Sequence, residues 1–343
     1  MQRLKRLDLQ FAAAKPASNS KKQKKAGNFT DSWAYLGMDE YISAEARIIR
    51  DKCRAFAERY NPDMYDYAES SNFPHHLIPE IAKLGVVGAD FPKEIGGKGM
   101  SCPDVGSMFF ELAKKDASLA TFVLLHHSAG QYTVNKLAQP ELREKILKDT
   151  MPLNKVMAWA LTEPETGSDA SSIQTTARKT EGGYLLNGRK RWVGNATFAD
   201  YIVCWARNEA DSGKIQAFLL RKGTPGLTTG KIERKMSLRA IQNADIIMQD
   251  VFVPDNERFE LANDFATGAK EVLQHSRIFV AWIAVGMAAG ACEAAFKYTQ
   301  ERVQFGKPVA ARQLIQAQLV KCAALVEQSI LLIMQISRLY ERG

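Results

Sequence analysis

The stretch Thr162-Glu-Pro-Glu-Thr-Gly-Ser-Asp169 follows the apolar run Trp159-Ala-Leu161 and puts hydroxyls, carboxylates and a glycine side by side. It lacks the Gly-Lys-Ser/Thr ending of a phosphate loop. Ser168 lacks the flanking glycine pair of a nucleophile elbow. What remains is a strand end offering small hydroxyls and backbone amides to a ligand with a polar rim. A second loop, Glu94-Ile-Gly-Gly-Lys-Gly99, has closely set glycines but no following strand-helix context, so it is a weak phosphate candidate. The cysteines at 53, 102, 204, 292 and 322 are scattered and form no C-x-x-C. Zinc and thioredoxin chemistry are unsupported, and packing thiols in a reducing compartment are expected. The histidines fall as His75-His76, His126-His127 and His275. Adjacent helical residues point about 100° apart, so neither pair makes a two-ligand metal face, and no metal site is expected.

The elements that must position these groups change character along the chain. From Ser43 to about Leu147 the apolar residues recur three and four apart, as in Glu45-Ala-Arg-Ile-Ile-Arg-Asp-Lys-Cys-Arg-Ala-Phe-Ala, which predicts helices. Further helices are expected from Phe73, over Asp104–Ala113 and over Ser118–Leu137. From Val156 alternation and β-branched or aromatic residues take over. The Asn187-Gly188 step between alternating runs predicts a hairpin turn. Strands are also expected at Tyr201-Ile-Val-Cys-Trp-Ala, Gln216-Ala-Phe-Leu-Leu and Ile246-Ile-Met-Gln-Asp-Val-Phe-Val. After Asp264 helices return. Segregated layers of this kind indicate an α+β class rather than a doubly wound fold. The expected organisation is a basic tail at 1–28, a helical domain at 35–155, a β-domain at 156–262 and a helical-bundle domain at 263–343.

The net charge of +8 sits in the tail, where Arg3, Lys5, Arg6, Lys15, Lys21, Lys22, Lys24 and Lys25 face Asp8 alone. The body is near neutral, which disfavours a nucleic-acid or membrane surface. The uncharged apolar run Ile278–Cys292 is shorter than a bilayer span and reads as a helix buried on most sides. The tail reads as disordered. It fits a mitochondrial presequence. Arg3-Leu4 and Gln10-Phe11 also resemble the two ends of an N-terminal peroxisomal targeting nonapeptide, which makes a peroxisomal location the first expectation and the mitochondrial matrix the second.

Three segments, Leu161-Thr-Glu-Pro-x-x-Gly-Ser-Asp169, Asn187-Gly-Arg-Lys-Arg-Trp-Val-Gly-Asn195 and Glu301-Arg-Val-Gln-Phe-Gly-Lys-Pro308 followed by Gln313, resemble the acyl-CoA dehydrogenase/oxidase family in order and spacing. The resemblance covers about residues 35–343 and is nearest to plant-type peroxisomal short-chain acyl-CoA oxidase, with glutaryl-CoA dehydrogenase next. It implies an FAD site at Trp159, Leu161, Thr162, Gly167, Ser168, Trp192, Val193 and Gly194. Taken alone, Trp192 reads as readily as a core tryptophan. Arg302, Gln304, Phe305 and Gln313 would reach the FAD of a neighbouring subunit in a homo-oligomer, a dimer or tetramer. The plain alternative for Arg302 is a surface ion pair with Glu301. Ser168, Gln274 and Arg277 would contact an acyl-CoA substrate, although a buried Arg277 equally suits a helix end. The implied reaction is α,β-oxidation of a short- or medium-chain acyl-CoA to the trans-2-enoyl-CoA.

Two positions bear on the subfamily. Many dehydrogenases place Thr or Ser where this chain has Gly194. Loss of that side chain would open the flavin to oxygen, which points to an oxidase. Glutaryl enzymes place an arginine where this chain has Ala120, so an apolar acyl tail is expected. The alternatives are a glutaryl-type or other short-chain dehydrogenase passing electrons to a flavoprotein, and a non-catalytic assembly subunit. The family's glutamate base is absent from the chain. Ser276, before Arg277, cannot replace it, and Glu271 lies on another helix face. No catalytic residue is therefore assigned, and the chain reads as C-terminally truncated. Ile330-Leu-Leu-Ile-Met334 and the 278–292 helix are expected to be partly bare.

Overall fold

The computed structural model describes residues 31–343. The basic N-terminal stretch, with the targeting readings placed on Arg3, Leu4, Gln10 and Phe11, lies outside the described residues.

The first layer is helical. After the short α1 (Ser32–Tyr35), α2 (Ala44–Ser70) starts where the Ser43 hydroxyl accepts from Ala46 N. It buries Ala46, Ile49, Cys53, Phe56 and Ala57 along one stripe. The segment from Phe73 forms only a 3₁₀ turn and the short α3 (Ile78–Ala82), because Pro74 and Pro79 fragment it. Helix α4 (Cys102–Lys115) opens on a capping box between Ser101 and Asp104. Asp116 caps α5 (Ala117–Leu124) by accepting from Ser118 N and Leu119 N. The chain then winds through a π-helical segment, Leu125–Gln131, into α6 (Tyr132–Leu137) and on to α7 (Pro140–Thr150). One continuous α-helix over 118–137 is thus broken by a wide turn, a feature that often marks a functional site.

The second layer is a seven-stranded sheet: β1 (Met157–Ala160), β2 (Thr176–Thr180), β3 (Gly183–Gly194), β4 (Tyr201–Asn208), β5 (Lys214–Arg221), β6 (Leu227–Lys231) and β7 (Asn243–Pro254). Its order is β1-β4-β2-β3-β7-β6, and β5 pairs with β4. β1 and β2 both run parallel to β4, and the remaining pairs are antiparallel.

The Asn187-Gly188 step is not a turn. β3 runs through it, and the β2–β3 hairpin closes instead at Glu181-Gly182, where Thr180 pairs with Gly183. The Asn-Gly step marks an irregularity in the pairing with β7. A Cβ at Gly188 would stand 2.5 Å from Thr175 Oγ1, and φ there is +148°. Close backbone approach, rather than reversal, is what requires the glycine.

The third layer is α8 (Ala269–Glu301), a small hairpin of β8 (Val303–Gln304) and β9 (Lys307–Pro308), and α9 (Gln313–Arg342). By length and composition alone both helices could cross a membrane. In α8 one apolar face is turned to protein: Phe279, Trp282, Ile283, Gly286 and Gly290 are buried, and Gly286 and Gly290 lie against the backbone of α4. Trp282 Nε1 donates to Ser337 Oγ at 2.9 Å and ties α8 to α9. Ile330, Ile333 and Met334 are buried, whereas Leu331, Leu332, Val280 and Met287 are exposed. The bareness expected for this region therefore holds for one face of each helix only.

Candidate functional site

The loop after β1 is fastened to β3 from inside. Lys190, with no exposed side-chain surface, donates Nζ to Leu161 O and to Glu163 Oε1, each at 2.9 Å. Glu163 also accepts from Gln174 N and from Thr175 N. Burial would raise the Glu163 pKa, but Lys190 and these donors outweigh it and keep the carboxyl below its usual range. Next to this pair, Arg191 N donates to Thr162 O at 2.8 Å. Thr162 is thereby set beside the Trp192 backbone.

The pairing of β3 with β7 shifts register between Lys190 and Val193. At this bulge Trp192 takes φ +61°, uncommon for a bulky residue, and its ring turns out to 51% exposure. The Arg191 guanidinium lies 5.1 Å from the ring centroid, and Asn243 Nδ2 holds the Trp192 carbonyl at 2.8 Å. A core tryptophan is excluded. An aromatic face held outward at a strained position is the mark of a binding surface.

Of the other strand-end residues, Val193 is buried and Gly194 pairs with Asn243. Gly167 and Ser168 are exposed, with open space where a Gly167 side chain would be. The Thr166 hydroxyl is buried without a hydrogen-bond partner. Leu161 is buried and its carbonyl is engaged by Lys190. Trp159 is half-buried, donates Nε1 to Thr133 Oγ1 at 3.1 Å and sets its ring edge-on to Trp205, so its indole N–H serves the sheet–helix junction. An outward indole, an orphaned hydroxyl and open backbone at one strand end fit a flat cofactor with a polar rim, as FAD requires.

The space beside Gly194 is not open. A Cβ there would stand 2.2 Å from Leu125 Cδ1. The missing side chain therefore leaves no gap for oxygen, which removes the ground on which the sequence pointed to an oxidase.

Gln274 and Arg277 are both exposed and line a cavity of about 480 Å³ between α8 and α9, with Ile278, Ile336, Leu339 and Tyr340. Being exposed, Arg277 does not close a buried helix end. None of the six lining residues is a carboxylate. Behind the cavity lies a buried network that the sequence did not disclose. Asp90 Oδ1 is 2.9 Å from His127 Nε2 and its Oδ2 is 3.4 Å from His275 Nε2. His275 stacks on Tyr132 at 3.7 Å, and its Nδ1 is 3.4 Å from the Tyr340 hydroxyl. Burial opposes the Asp90 charge, but the two imidazoles prevail and hold its carboxyl well below the usual range. The side chain of Glu271 accepts from Tyr132 at 3.1 Å.

Arg302, Gln304, Phe305 and Gln313 are not brought to the strand end. They sit exposed on the hairpin and at the start of α9. Phe305, at φ +53° and 93% exposed, projects from the tip with Arg312 5.7 Å from its ring centroid. Among the described residues Arg302 has no ion pair, with Glu301 or any other acid.

His126 anchors the π-helical segment to β1. Its Nδ1 accepts from Met157 N at 3.0 Å, and its Nε2 lies 3.0 Å from Thr150 O. Burial pushes its pKa down to about 3. The unfolded chain binds this proton below about pH 6.5 and the folded chain does not. Stability is therefore complete above pH 6.5 and is lost as pH falls towards 3, by up to about 1.4 kcal/mol per pH unit for this group. Urea unfolding across pH 4–7 will show this slope, and a flat profile would remove His126 as its source.

Comparison with known proteins follows this layering. The descriptions of the matching family models are acyl-CoA dehydrogenase N-terminal domain over residues 43–152, middle domain over 158–251 and C-terminal domain over 266–343. Benzylmalonyl-CoA dehydrogenase of Aromatoleum aromaticum is 34% identical over 298 residues, covering 86% of this chain and 79% of the relative. Caffeyl-CoA reductase-Etf complex subunit CarC of Acetobacterium woodii is 33% identical over 305 residues, covering 88% and 80%. The crystal structure of a glutaryl-CoA dehydrogenase from Mycobacterium smegmatis in complex with FADH2 superposes with TM-score 0.85 at 28% identity, covering 90% of this chain and 79% of that one.

Proposed function

The chain belongs to the acyl-CoA dehydrogenase family, and on that footing we propose that it dehydrogenates a CoA thioester with an apolar acyl group and passes the electrons to another flavoprotein. As a family member it is an oxidoreductase of the CH–CH bond of acyl-CoA, with FAD as cofactor. The observation that carries the reading is the Arg191 N–Thr162 O bond beside the Trp192 bulge, which joins the two cofactor segments at one strand end. Bound there, FAD would supply the acceptor for the β-hydrogen as hydride, while the α-proton needs a base that the residues lining the cavity do not include. The Leu161–Ser168 backbone and the Trp192 face bind and orient it. Gln274 and Arg277, at the cavity mouth, hold polar parts of the CoA thioester, and Ile278, Ile336 and Leu339 take apolar chain. Ala120 and the apolar cavity wall favour an acyl group without a distal carboxylate.

Two observations support a flavoprotein as acceptor. A relative is named as a subunit of a reductase–Etf complex. Leu125 also fills the space at Gly194 that an oxygen-reactive site would leave open. Arg302, Gln304, Phe305 and Gln313, exposed on the hairpin and at the start of α9, suit contact with the FAD of a second copy.

Trp192→Ala is the direct test. Its ring is exposed, so thermal stability stays close to wild type, while FAD affinity falls about tenfold through loss of one aromatic face. Equilibrium titration by flavin fluorescence measures this. Undiminished affinity would take the cofactor away from this strand end.

A further inference from the structure

The fit between Leu125 and Gly194 goes beyond shape. Gly194 is not a turn glycine: it pairs with Asn243 within the β3–β7 ladder. What demands glycine is contact, since its Cβ would stand 2.2 Å from Leu125 Cδ1 and 3.6 Å from Cγ. The backbone that carries Leu125 is held in place. Leu125 opens the π-helical segment, the next residue is held on both ring nitrogens by Met157 and Thr150, and a Cβ at Gly130 would stand 2.7 Å from Met157 Cβ. Asn195 completes the clamp by donating Nδ2 to Phe122 O and Met157 O, so the ends of β3 and α5 are tied to β1. One methyl group of the helical layer thus sits in a notch of the sheet, two residues from the outward face of Trp192.

We propose that Leu125 determines the electron acceptor: its side chain plugs the Gly194 notch and keeps dioxygen from the reduced flavin. The inference rests on the reading that FAD lies along Trp192–Gly194. The suppressed reaction transfers two electrons and two protons from reduced FAD to dioxygen, giving oxidised FAD and hydrogen peroxide, and it requires dioxygen to reach the ring. Closing a site to small molecules is a recognised way to prevent such side reactions. A flavoprotein acceptor takes electrons without entering the notch, so the plug leaves that route open.

The experiment needs no substrate turnover. FAD-loaded wild type, Leu125→Ala, Leu125→Val and Leu125→Ala/Gly194→Ala are photoreduced without air and mixed with aerated buffer. Reoxidation and peroxide are then followed. Opening the notch is expected to speed reoxidation by about tenfold in Leu125→Ala with matching peroxide, less in Leu125→Val, and the double variant returns towards wild type. In the apoprotein, Gly194→Ala alone lowers the unfolding temperature, and adding Leu125→Ala restores it, because the two side chains compete for one space. Wild-type reoxidation rates in Leu125→Ala, with FAD still bound, would overturn the inference while leaving the FAD reading intact. Independent effects of the two substitutions on unfolding would also overturn it. If wild type itself retains no FAD, the reading fails and the inference falls with it.

Discussion

Lys190→Met is expected to destabilise the protein by about 3–5 kcal/mol, the cost of breaking a buried ion pair on one side. Lys190 is fully buried and Glu163 nearly so. Without the ammonium, the Glu163 carboxylate keeps only the Gln174 and Thr175 amides, and the Leu161 carbonyl loses its donor. The loop carrying Thr162 loses its internal anchor, so FAD retention falls together with stability. The double variant Lys190→Met/Glu163→Gln recovers much of the loss, since no buried charge is left alone. Urea unfolding of the three proteins, with flavin content measured alongside, checks both effects. If Lys190→Met shifts the midpoint no more than a surface substitution does, the pair does not organise this site.

Gly290→Ala should be nearly as damaging, at about 3 kcal/mol or above, the upper end of what overpacking costs. Its Cβ would stand 1.8 Å from Lys114 O and 2.7 Å from Lys114 C, which are backbone atoms of α4 and cannot rotate away. Gly286, one turn earlier, meets Phe110 O at 2.4 Å in the same way. The two glycines set how closely α8 lies on α4, so the added methyl pushes the helices apart along the whole contact. Thermal unfolding would show it. A midpoint within about 1 °C of wild type, less than 1 kcal/mol produces in a protein of this size, would mean that the crossing yields easily.

The layering was legible because periodicity changes where the layers change. Apolar residues three and four apart give α2 and α4, and β-branched alternation gives β4, β5 and β7. The Asn187-Gly188 step misled because the same dipeptide serves a hairpin turn and a strand irregularity. Only the neighbouring Thr175, distant in what periodicity can see, decides between them. The structure brings two of the cofactor motifs together at one strand end, but their internal logic stayed hidden. Lys190 stands inside a quoted motif and reads as one more basic residue beside Arg189 and Arg191. Its inward phase with Tyr184 and Leu186 was the available signal, obscured by the break at Gly188. Leu125 and Asp90 carry no local signature at all. Each matters through contacts with residues far along the chain, Gly194 in one case and His127 and His275 in the other. The glycine at 194 was seen, yet read as an opening, because a sequence shows a missing side chain and not what fills its place.

The central claim is that this chain holds FAD and gives its electrons to a flavoprotein. The most direct measurement is to load the protein with FAD, photoreduce it without air, and mix it with an oxidised electron-transferring flavoprotein in one syringe or aerated buffer in the other. The account predicts rapid electron transfer to the flavoprotein and slow, peroxide-poor oxidation in air. Fast oxidation in air with stoichiometric peroxide, and no transfer to the flavoprotein, would contradict it and restore the oxidase.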